Sequence, residues 1–452
     1  MDFDKSPLNE VVEDISFNGG NQPTVTYEAM IYYGEGDDDC IEPIRVTNED
    51  IISNYIRDFA DGVVVSMIIT SGKYAFKLLP NQDKLKVELT KTINNFVPDT
   101  SKRNTRRTVQ KFKAVLVNND DPVANQIASP LLSEFKMDMF DMRVVRFQLL
   151  DEFTEQLRTI RIGTVYRDTA VADIMKTCLH DYTAKIKSKT PFKGVEIYGN
   201  PKVSVDKQVQ ILDGTRLVDV PKYLQENERG IYGAGLSSFF RDGYWYIWPT
   251  FDITRFNKST HKVTIINVPA TRYLGLERTY KYEGEHLTIV ATGETRTFDD
   301  TEKKELTLGN ASQTAAAGAL HNTDFVEYVK NKAKVMADKF ISEYSVKERK
   351  DESNFVSGGK IKITDNTLNE MSKNTAAMGS YMYLVWENSF HEGLVPGMPC
   401  RLMYWNGKKV VKRDGTILAT QTFTHPSGGN ILRGRYVSAT GILLFLAKEE
   451  PS

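Results

Sequence analysis

Residues 235–256 read GLSSFFRDGYWYIWPTFDITRF, and eight of these twenty-two positions carry Phe, Tyr or Trp. Asp242 and Gly243 separate two apolar runs, a pattern typical of a tight β-hairpin with a two-residue turn. Successive side chains of a strand point to opposite faces of the sheet. The second run divides into one face with Tyr244, Tyr246 and Trp248 and another with Trp245 and Ile247. Because both faces are apolar, we expect the hairpin to be covered on both sides, by helices of its own domain and by another domain or subunit.

Three uses fit this aromatic surface: a sugar-binding cleft, a platform that stacks nucleic-acid bases, or a packed seam between domains. The surrounding sequence is not basic, whereas base-stacking platforms are combined with positively charged grooves. Packing surface is therefore the favoured interpretation. The side chains predicted to form this interface are Phe239, Phe240, Tyr244, Trp245, Tyr246 and Trp248.

The composition bounds the class of protein. The chain has 452 residues, which predicts two to four compact domains at about 150 residues each. Its 58 basic and 59 acidic residues leave a net charge of −1, so no overall field attracts nucleic acid or an anionic membrane. The longest apolar runs, such as GILLFLA at 441–447, are much shorter than the ~20 residues that span a bilayer. We expect no membrane insertion by the chain itself.

The beginning of the chain and the cysteines indicate the compartment. The first residues, MDFDKSPLNE, are acidic and polar and lack the basic and apolar regions of a secretory signal, so export by the general pathway is not expected. Cys40, Cys178 and Cys400 are scattered and odd in number, which argues against a disulfide framework and fits folding in a reducing compartment. We interpret these cysteines as small buried hydrophobic residues.

The region from about 20 to 120 has the pattern of a β-barrel or sandwich, in which short β-branched and aromatic runs alternate with Gly, Pro, Asn and Asp. The runs are TVTYEAMIYY (24–33), GVVVSMIIT (62–70), KYAFKLL (73–79), KLKVELT (84–90) and KFKAVLV (111–117). Between them, NEDIISNYIRDF (48–59) has apolar residues at helical spacing, so a helical turn and an irregular strand both remain open.

The region from about 140 to 300 mixes helices and strands. DTAVADIMKTCLHDY (168–182) predicts an amphipathic helix, with Asp168 or Thr169 as the N-cap. The strand-like runs VEIYG and KQVQIL follow, and Pro221 suits the first turn of a second helix. Together with the aromatic hairpin, these elements predict a mixed α/β domain.

The next segment is predicted to be a connection and a helix. Residues 300–322 are small and polar, which predicts a flexible connection. Asp324 and Glu327 then resemble a capping box, and an apolar stripe predicts an amphipathic helix of about five turns that ends near Phe340. A charged linker at 345–360 follows.

The last ninety residues return to β-type runs, and Asn406 and Gly407 between RLMYW and KKVV predict a type I′ hairpin. The fold class predicted for the chain is α+β and mainly β, with two small antiparallel β-barrels flanking a mixed α/β domain. The predicted boundaries are 1–145 for the first barrel, 146–300 for the mixed domain, 301–360 for the connection and helix, and 361–452 for the second barrel.

The sequence carries no recognised catalytic or metal-binding motif. The six histidines lie far apart without a His or Cys at metal-ligand spacing, and neither a phosphate-binding loop nor a nucleophile elbow is present. The acidic run at 35–39 lacks the spacing of a calcium loop and is interpreted as a solvated loop. We predict no catalytic residue, no metal site, no cofactor and no enzyme activity.

Two features nevertheless suggest binding or chemistry. Aromatic residues with paired carboxylates are typical of glycosidases, and SKRNTRRTVQKFK (101–113) carries six basic residues, enough for a local phosphate contact. A solvated or partner-facing loop is the preferred interpretation of the basic segment. The candidate carboxylates are Asp242, Asp252, Glu283 and Glu285.

Three stretches resemble the tail or baseplate hub proteins of tailed bacteriophages and related contractile injection systems, the adaptors between tail tube and spike. They are KYAFKLLPNQDKLKVEL (73–89), VYRDTAVADIMKTCL (165–179) and DVPKYLQENERGIYGAGLSSFFRDGYWYIWP (219–249), followed by a second β domain. The resemblance covers nearly the whole chain in architecture. It implies a homotrimer in which each chain supplies two barrels, so that six similar units surround an axial channel.

The resemblance also implies the partners. The ring would join a hexameric tail tube protein to a trimeric central spike protein, contact other baseplate proteins and let double-stranded DNA pass without specific binding. It would be a component of the virion that is assembled in the host cytoplasm. The alternative is a carbohydrate-active tail enzyme that cleaves peptidoglycan or polysaccharide with paired carboxylates, and a free-standing adhesin with β domains is the third possibility.

Overall fold

The computed structural model shows a mainly β protein with a large mixed sheet. The structure describes residues 3–18, 23–36, 38–94, 105–117, 141–186, 191–203, 205–228, 230–273, 276, 278–295, 311–312, 325–329, 332–336, 347–348, 379–427 and 435–447. No helix in these ranges is long and apolar enough to cross a membrane. The helices are α1 (Pro7–Asn18), α2 (Ser71–Lys73), α3 (Glu152–Thr159), α4 (Val171–Thr183), α5 (Val220–Asn227) and α6 (Ala270–Tyr273).

The strands fall into three stretches of the chain. The first stretch holds β1 (Thr24–Tyr32), β2 (Cys40–Ile41), β3 (Arg45–Ser53), β4 (Gly62–Thr70), β5 (Lys86–Asn94), β6 (Thr105–Leu116) and β7 (Met142–Leu150). The second holds β8 (Arg161–Ala170), β9 (Gly194–Ile197), β10 (Val205–Arg216), β11 (Leu236–Arg241) and β12 (Tyr244–Pro249). The third holds β13 (Lys262–Asn267), β14 (Tyr280–Glu283), β15 (His286–Thr295), β16 (Ala311–Ser312), β17 (Phe325–Val329), β18 (Lys332–Met336), β19 (Lys347–Glu348), β20 (Ser380–Glu387), β21 (Pro399–Trp405), β22 (Val410–Pro426) and β23 (Tyr436–Leu446).

Eight strands close a hydrogen-bonded ring that we call the first circuit. Each strand pairs with the next in the order β22, β3, β4, β7, β6, β5, β1 and β23, and β23 pairs back with β22. All of these pairings are antiparallel. Alternate side chains of the strands, such as Ile31, Val65, Met67, Val87 and Phe147, are buried together. The first circuit therefore encloses an apolar core.

Six strands close the second circuit in the order β22, β21, β13, β15, β20 and β23. Strand β13 pairs in parallel with β15 and with β21, and the remaining pairings are antiparallel. The prediction of a purely antiparallel second barrel is therefore wrong, because β13 lies between two strands that run in its own direction. Its core includes Val263, Ile265, Trp386, Leu402 and Leu444. Because both circuits contain the β22–β23 hairpin, one continuous sheet runs through both. The second circuit combines strands from before and after 301–360, and the predicted domain boundaries stay predictions.

The mixed region lies between β7 and β13 in the chain. Strands β8 and β10 form a two-stranded sheet, and β9, β12 and β11 form a three-stranded one. Helix α4 confirms the predicted amphipathic helix, and α5 carries Pro221 in its first turn as expected. The predicted N-cap of α4 is wrong, because Asp168 and Thr169 belong to β8 and the Thr169 hydroxyl bonds to the Arg167 carbonyl oxygen. The cap residue is Ala170.

The strand predicted at 73–79 is also wrong. Residues 71–81 form successive helical turns after Thr70, whose hydroxyl accepts the N–H of Lys73 at 3.5 Å. Leu78 is buried four residues after the partly buried Tyr74, as helical spacing requires. In contrast, the ambiguous segment at 48–59 begins as a strand, because β3 continues to Ser53.

The helix predicted between 324 and 340 is contradicted by β17 and β18. These strands pair antiparallel, with Val329 opposite Lys332. The run FVEYV is rich in β-branched and aromatic residues, which favour an extended backbone. The end of the predicted helix, and most of the connection and linker predicted at 300–322 and 345–360, lie outside the described residues.

The hairpin predicted at Asn406 and Gly407 exists, but its loop is not a two-residue type I′ turn. The last paired residues are Trp405 and Val410, so four residues form the loop. Asn406 Oδ1 accepts the N–H groups of the third and fourth loop residues at 3.0 and 2.9 Å. The asparagine side chain therefore organises a longer loop.

Candidate functional site at the aromatic hairpin

The aromatic hairpin has the turn that the sequence predicts. Strands β11 and β12 pair along their whole lengths, and Asp242 and Gly243 have φ angles of 53° and 85°. These angles suit a type I′ turn. A Cβ atom on Gly243 would lie 2.6 Å from the carbonyl oxygen of Pro191, so this position requires glycine. Strand β12 also pairs with β9 and is the central strand of its sheet.

One face of the hairpin packs against the helices of the mixed region. Phe240, Trp245 and Ile247 are buried in one cluster with side chains of α3, α4 and α5. The indole Nε1 of Trp245 donates a hydrogen bond to Thr183 Oγ1 at 2.9 Å. The ring centroids of Phe153 and Phe240 are 5.1 Å apart. These contacts make this face part of a hydrophobic core.

The opposite face packs against segments that adjoin the two circuits. Phe239 stacks on Tyr55, which follows β3, with ring centroids 4.1 Å apart and planes inclined by 12°. Trp248 is buried against Gly397, where a Cβ atom would lie 2.9 Å from the indole ring. The Arg255 guanidinium lies 5.8 Å from the centroid of the Trp248 ring. Both faces of the hairpin are therefore covered within a single chain.

Only part of the predicted aromatic interface is accessible. Tyr244 and Tyr246 are partly exposed, and Tyr246 stacks with the exposed Tyr198 at a centroid distance of 6.1 Å. The four other predicted interface residues are buried inside the chain, and they are Phe239, Phe240, Trp245 and Trp248. Contact with a second subunit through the two tyrosines stays a prediction.

A partly buried charged group adjoins the hairpin at Tyr55. The Tyr55 hydroxyl and Ser53 Oγ donate to Asp61 Oδ1 at 2.6 and 2.5 Å, and Asp61 Oδ2 lies 3.6 Å from His391 Nε2. Burial alone would raise the pKa of Asp61, but the contact with His391 and the charge of Arg241 hold this pKa well below its usual range. The ring of Tyr55 therefore packs on the hairpin, and its hydroxyl bonds to the charged group.

A second charged group lies beside the first. Lys91 Nζ lies 2.7 Å from Glu49 Oε2, and the same oxygen accepts a hydrogen bond from the Tyr27 hydroxyl at 2.6 Å. Burial opposes the charge on Lys91, yet Glu49 and Glu392 raise the lysine pKa overall. Burial likewise opposes the charge on Glu392, but Lys91 and His391 lower the pKa of this carboxyl. Glu392 therefore links the two groups electrostatically.

We call Glu49, Asp61, Lys91, Arg241, His391 and Glu392 the junction cluster. It takes residues from β3, β5, β11, the loop before β4 and the 3₁₀-helical turn His391–Gly393, so it connects the first circuit, the hairpin and the segment before β21. Three buried atoms of the cluster have no hydrogen-bond partner among the described residues, and they are Arg241 Nη1, His391 Nδ1 and Glu392 Oε2. Because a buried charge is stable only close to its counter-charges, the cluster fixes these segments relative to one another.

The junction cluster was not identified from the sequence. The available signal is a charged residue at a position of the alternating pattern where buried apolar residues are expected. In β5, Lys91 lies on the same face of the strand as Leu89 and Ile93. The partner of Lys91 could not be found in this way, because Glu49 lies 42 positions earlier in the chain. His391 was interpreted only as one of six unclustered histidines.

The carboxylates considered for glycoside cleavage are each engaged locally. Asp242 occupies the hairpin turn, and Asp252 Oδ1 accepts the N–H of a residue two positions later at 2.9 Å. Glu283 is the last residue of β14, and Glu285 lies in the turn before β15, 3.5 Å from His261. In the part of the chain that the structure describes, no group of three or more His, Cys, Asp or Glu residues is placed to hold a metal ion.

The basic segment at 101–113 is only partly described. Lys102 and Arg103 lie outside the described residues, whereas the basic residues from Arg106 onward belong to β6. The segment is therefore a strand from Thr105 onward, which extends the β run predicted at 111–117 and corrects the loop preferred for the residues before it.

No family model and no curated protein matches this chain. The similar solved structures include phage tail and baseplate proteins and type VI secretion components. The tail protein from Neisseria meningitidis MC58 is 10% identical over 93% of this chain and 96% of its own, with a TM-score of 0.43. The 43 kDa tail protein of prophage MuSo2 from Shewanella oneidensis is 10% identical over 92% of this chain and 98% of its own, with a TM-score of 0.41. The E. coli c3393 protein, a type VI secretion component, is 7% identical over 91% of this chain and 77% of its own, with a TM-score of 0.37.

Proposed function

We propose that this chain is a structural hub of a phage tail baseplate. In this proposal three copies form a pseudo-six-fold ring that joins the hexameric tail tube to the trimeric central spike. Its partners are the tube protein, the spike protein and other baseplate proteins of the virion, which is assembled in the host cytoplasm. Double-stranded DNA passes through the ring without specific binding, in keeping with a net charge of −1.

The observation that carries the proposal is the presence of two closed strand circuits in one chain, joined by the β22–β23 hairpin. We interpret each circuit as a small β-barrel. Three copies around a three-fold axis would present six barrels, and such a ring would match six-fold symmetry on one side and three-fold symmetry on the other. An adaptor between a hexameric tube and a trimeric spike needs this combination.

The packing of the hairpin supports a load-bearing role. Trp245 is buried among the helices of the mixed region, and Phe239 stacks on Tyr55 beside the first circuit. A force on the mixed region would therefore reach the circuits through close-packed side chains, which transmit strain. The junction cluster adds charged contacts at the same place.

The proposal assigns no enzymatic activity to the chain. The carboxylates considered for glycoside cleavage lie in turns or are held by local hydrogen bonds and ion pairs. Asp61 is also unsuited to act as a general acid, because that role needs a raised pKa and the surroundings of Asp61 depress it. Asp61 serves as a structural counter-charge. Assays of the purified chain for cleavage of peptidoglycan and polysaccharide test this point, and activity abolished by one carboxylate substitution would support the tail enzyme instead.

Light scattering and electron microscopy of the purified chain test the ring. We expect a particle with three times the chain mass of 51.2 kDa, and averaged images with six similar lobes around a central hole. A chain that stays monomeric at every accessible concentration contradicts the proposal. A ring of another copy number would contradict the match to a trimeric spike.

A further inference from the structure

A cleft of about 600 Å³ lies at one end of the second circuit. Strands β13, β15 and β21 run in the same direction, so their carboxyl ends lie at the same edge of the sheet. Asn267 and Trp405 are the last residues of β13 and β21, Glu294 is the last but one of β15, and all three line the cleft. Its volume is in the range of sites that bind small molecules. We call it the strand-end cleft.

The strand ends in this cleft are held in place by a side chain. Asn267 Nδ2 donates to the Gly293 carbonyl oxygen at 3.3 Å, and Asn267 Oδ1 accepts the Gly293 N–H at 3.0 Å. Phe3, which lines the cleft from the segment before α1, is buried in one cluster with Val268. These contacts preform the cleft, so a ligand does not have to order it.

Apolar side chains reach the cleft from β20 and β21, which β13 and β15 separate in the sheet. Tyr383 and Val385 lie on the same face of β20 and are 36% and 44% exposed. Tyr404 and Trp405 of β21 also line the cleft, and both are partly exposed. Aromatic rings and methyl groups of this kind pack against the C–H groups of a ligand.

The polar side chains of the cleft indicate a ligand with hydroxyl groups. Thr292 offers a hydroxyl, and the carboxylate of Glu294 has about four lone-pair sites, so it can accept from a ligand in addition to its interactions within the chain. No Lys, Arg or His is among the described lining residues, so a phosphate or carboxylate group would meet no counter-charge there. Glu294 is also the only acidic residue among them, whereas glycoside cleavage takes two carboxylates.

We infer that the strand-end cleft binds a neutral saccharide without cleaving it. A sugar ring presents C–H groups on its faces and hydroxyl groups around its edge, which matches apolar walls combined with a few polar side chains. An organic cation would also be attracted by aromatic rings and by a carboxylate. Of the polar lining side chains Asn267, Thr292 and Glu294, however, only Glu294 is charged, and solvent screens it, so hydrogen bonds to hydroxyl groups are favoured.

The inference goes beyond the proposed hub and does not depend on it, because the described lining residues form the cleft within one chain. Ligand-observed NMR and calorimetry with the full chain test it. The probes are short oligosaccharides of glucose, galactose and N-acetylglucosamine, and choline is the cationic probe. We expect at least one oligosaccharide to bind.

Two substitutions locate the binding. Trp405→Ala should weaken oligosaccharide binding about tenfold, because an aromatic surface of the cleft is lost. Val385→Arg places a long side chain at an exposed position of the same cleft and should give a similar loss. Phe76→Ala, at a 65% exposed aromatic residue in the helical turns after Thr70, is the matched control and should leave binding unchanged. Thermal melts followed by circular dichroism show whether each variant folds.

A third substitution separates a saccharide from an organic cation. Glu294→Gln removes the charge but keeps an oxygen that accepts hydrogen bonds, so it should change oligosaccharide binding by less than about threefold. Binding of choline alone, lost in Glu294→Gln, would assign the cleft to an organic cation and overturn the inference.

The remaining outcomes separate the inference from the proposed hub. A wild-type chain that binds none of the oligosaccharides overturns the inference, and so does binding that survives both Trp405→Ala and Val385→Arg. Shortening of a bound oligosaccharide would contradict binding without cleavage. Light scattering decides on the ring independently, so a strictly monomeric chain that binds the oligosaccharide overturns only the hub.

Discussion

Asp61 is the residue on which the junction cluster depends most directly. Asp61→Asn preserves the shape of the side chain but removes the charge that faces His391 and Arg241. Breaking a fully buried charged pair costs about 3–5 kcal/mol, and the Asp61 side chain is 21% exposed, so we expect the free energy of unfolding to fall by about 2 kcal/mol. Urea unfolding at pH 7 measures this change.

A surface pair provides the comparison for Asp61. Glu155 forms an ion pair with Lys113 in which both side chains are about 40% exposed. Solvent screens such a pair, and Glu155→Gln should change stability by no more than about 1 kcal/mol. Equal effects of the two substitutions would mean that the junction cluster contributes no more than a surface contact.

The acid sensitivity of the fold follows from the same cluster. Asp61 and Glu392 have pKa values in the folded chain below their ordinary values, so their stabilising effect is present above about pH 4 and is lost as the pH falls through the folded values. Asp61→Asn should therefore flatten the decline in melting temperature below about pH 4. Thermal melts between about pH 2.5 and 7 test this, and an unchanged slope would show that other carboxylates dominate.

Among the structural elements, the aromatic hairpin depends on its turn. Gly243 and Gly284 both lie in hairpin turns with positive φ, of 85° and 64°, so alanine introduces backbone strain of about 1 kcal/mol at either position. Only at Gly243 would the new Cβ atom collide with backbone, 2.6 Å from the Pro191 oxygen, whereas no atom lies within 4 Å at Gly284. Gly243→Ala should lower stability by about 1–2 kcal/mol more than Gly284→Ala, as measured by chemical denaturation. Similar losses would show that the turn can move away from Pro191.

The sequence predicted correctly those elements whose turn residues or hydrophobic periodicity lie within a few neighbouring positions. The hairpin at Asp242 and Gly243 and the helix α4 were predicted because turn chemistry and a helical stripe lie within a few residues. The strand predicted at 73–79 and the helix predicted at 324–340 were wrong. Short apolar runs fit the spacing of a strand as well as that of a helix, and tertiary contacts decide between the two.

Contacts between elements that are far apart in the chain could not be predicted from the sequence. Strand β13 pairs in parallel with β15 and β21, and no local pattern indicates which strands meet. The burial of the aromatic hairpin could be anticipated from its two apolar faces, but the choice of Tyr55 as a partner could not. The basic segment could be recognised by composition, whereas its pairing with β5 and β7 depends on the whole sheet.

At the scale of the whole molecule, the two circuits share β22 and β23 and should open together. Leu444 on β23 is fully buried in the second circuit, and Leu444→Ala should cost about 2–5 kcal/mol. Because β22 is bonded to β3 as well as to β23, this loss should speed amide hydrogen exchange in β4 of the first circuit as much as in β15 of the second. Val205→Ala, at a 63% exposed site, should change neither the stability nor the amide hydrogen exchange of β4 and β15. Faster exchange confined to β15 would show that the circuits unfold separately, and a shared hairpin would then be too weak to transmit load between them.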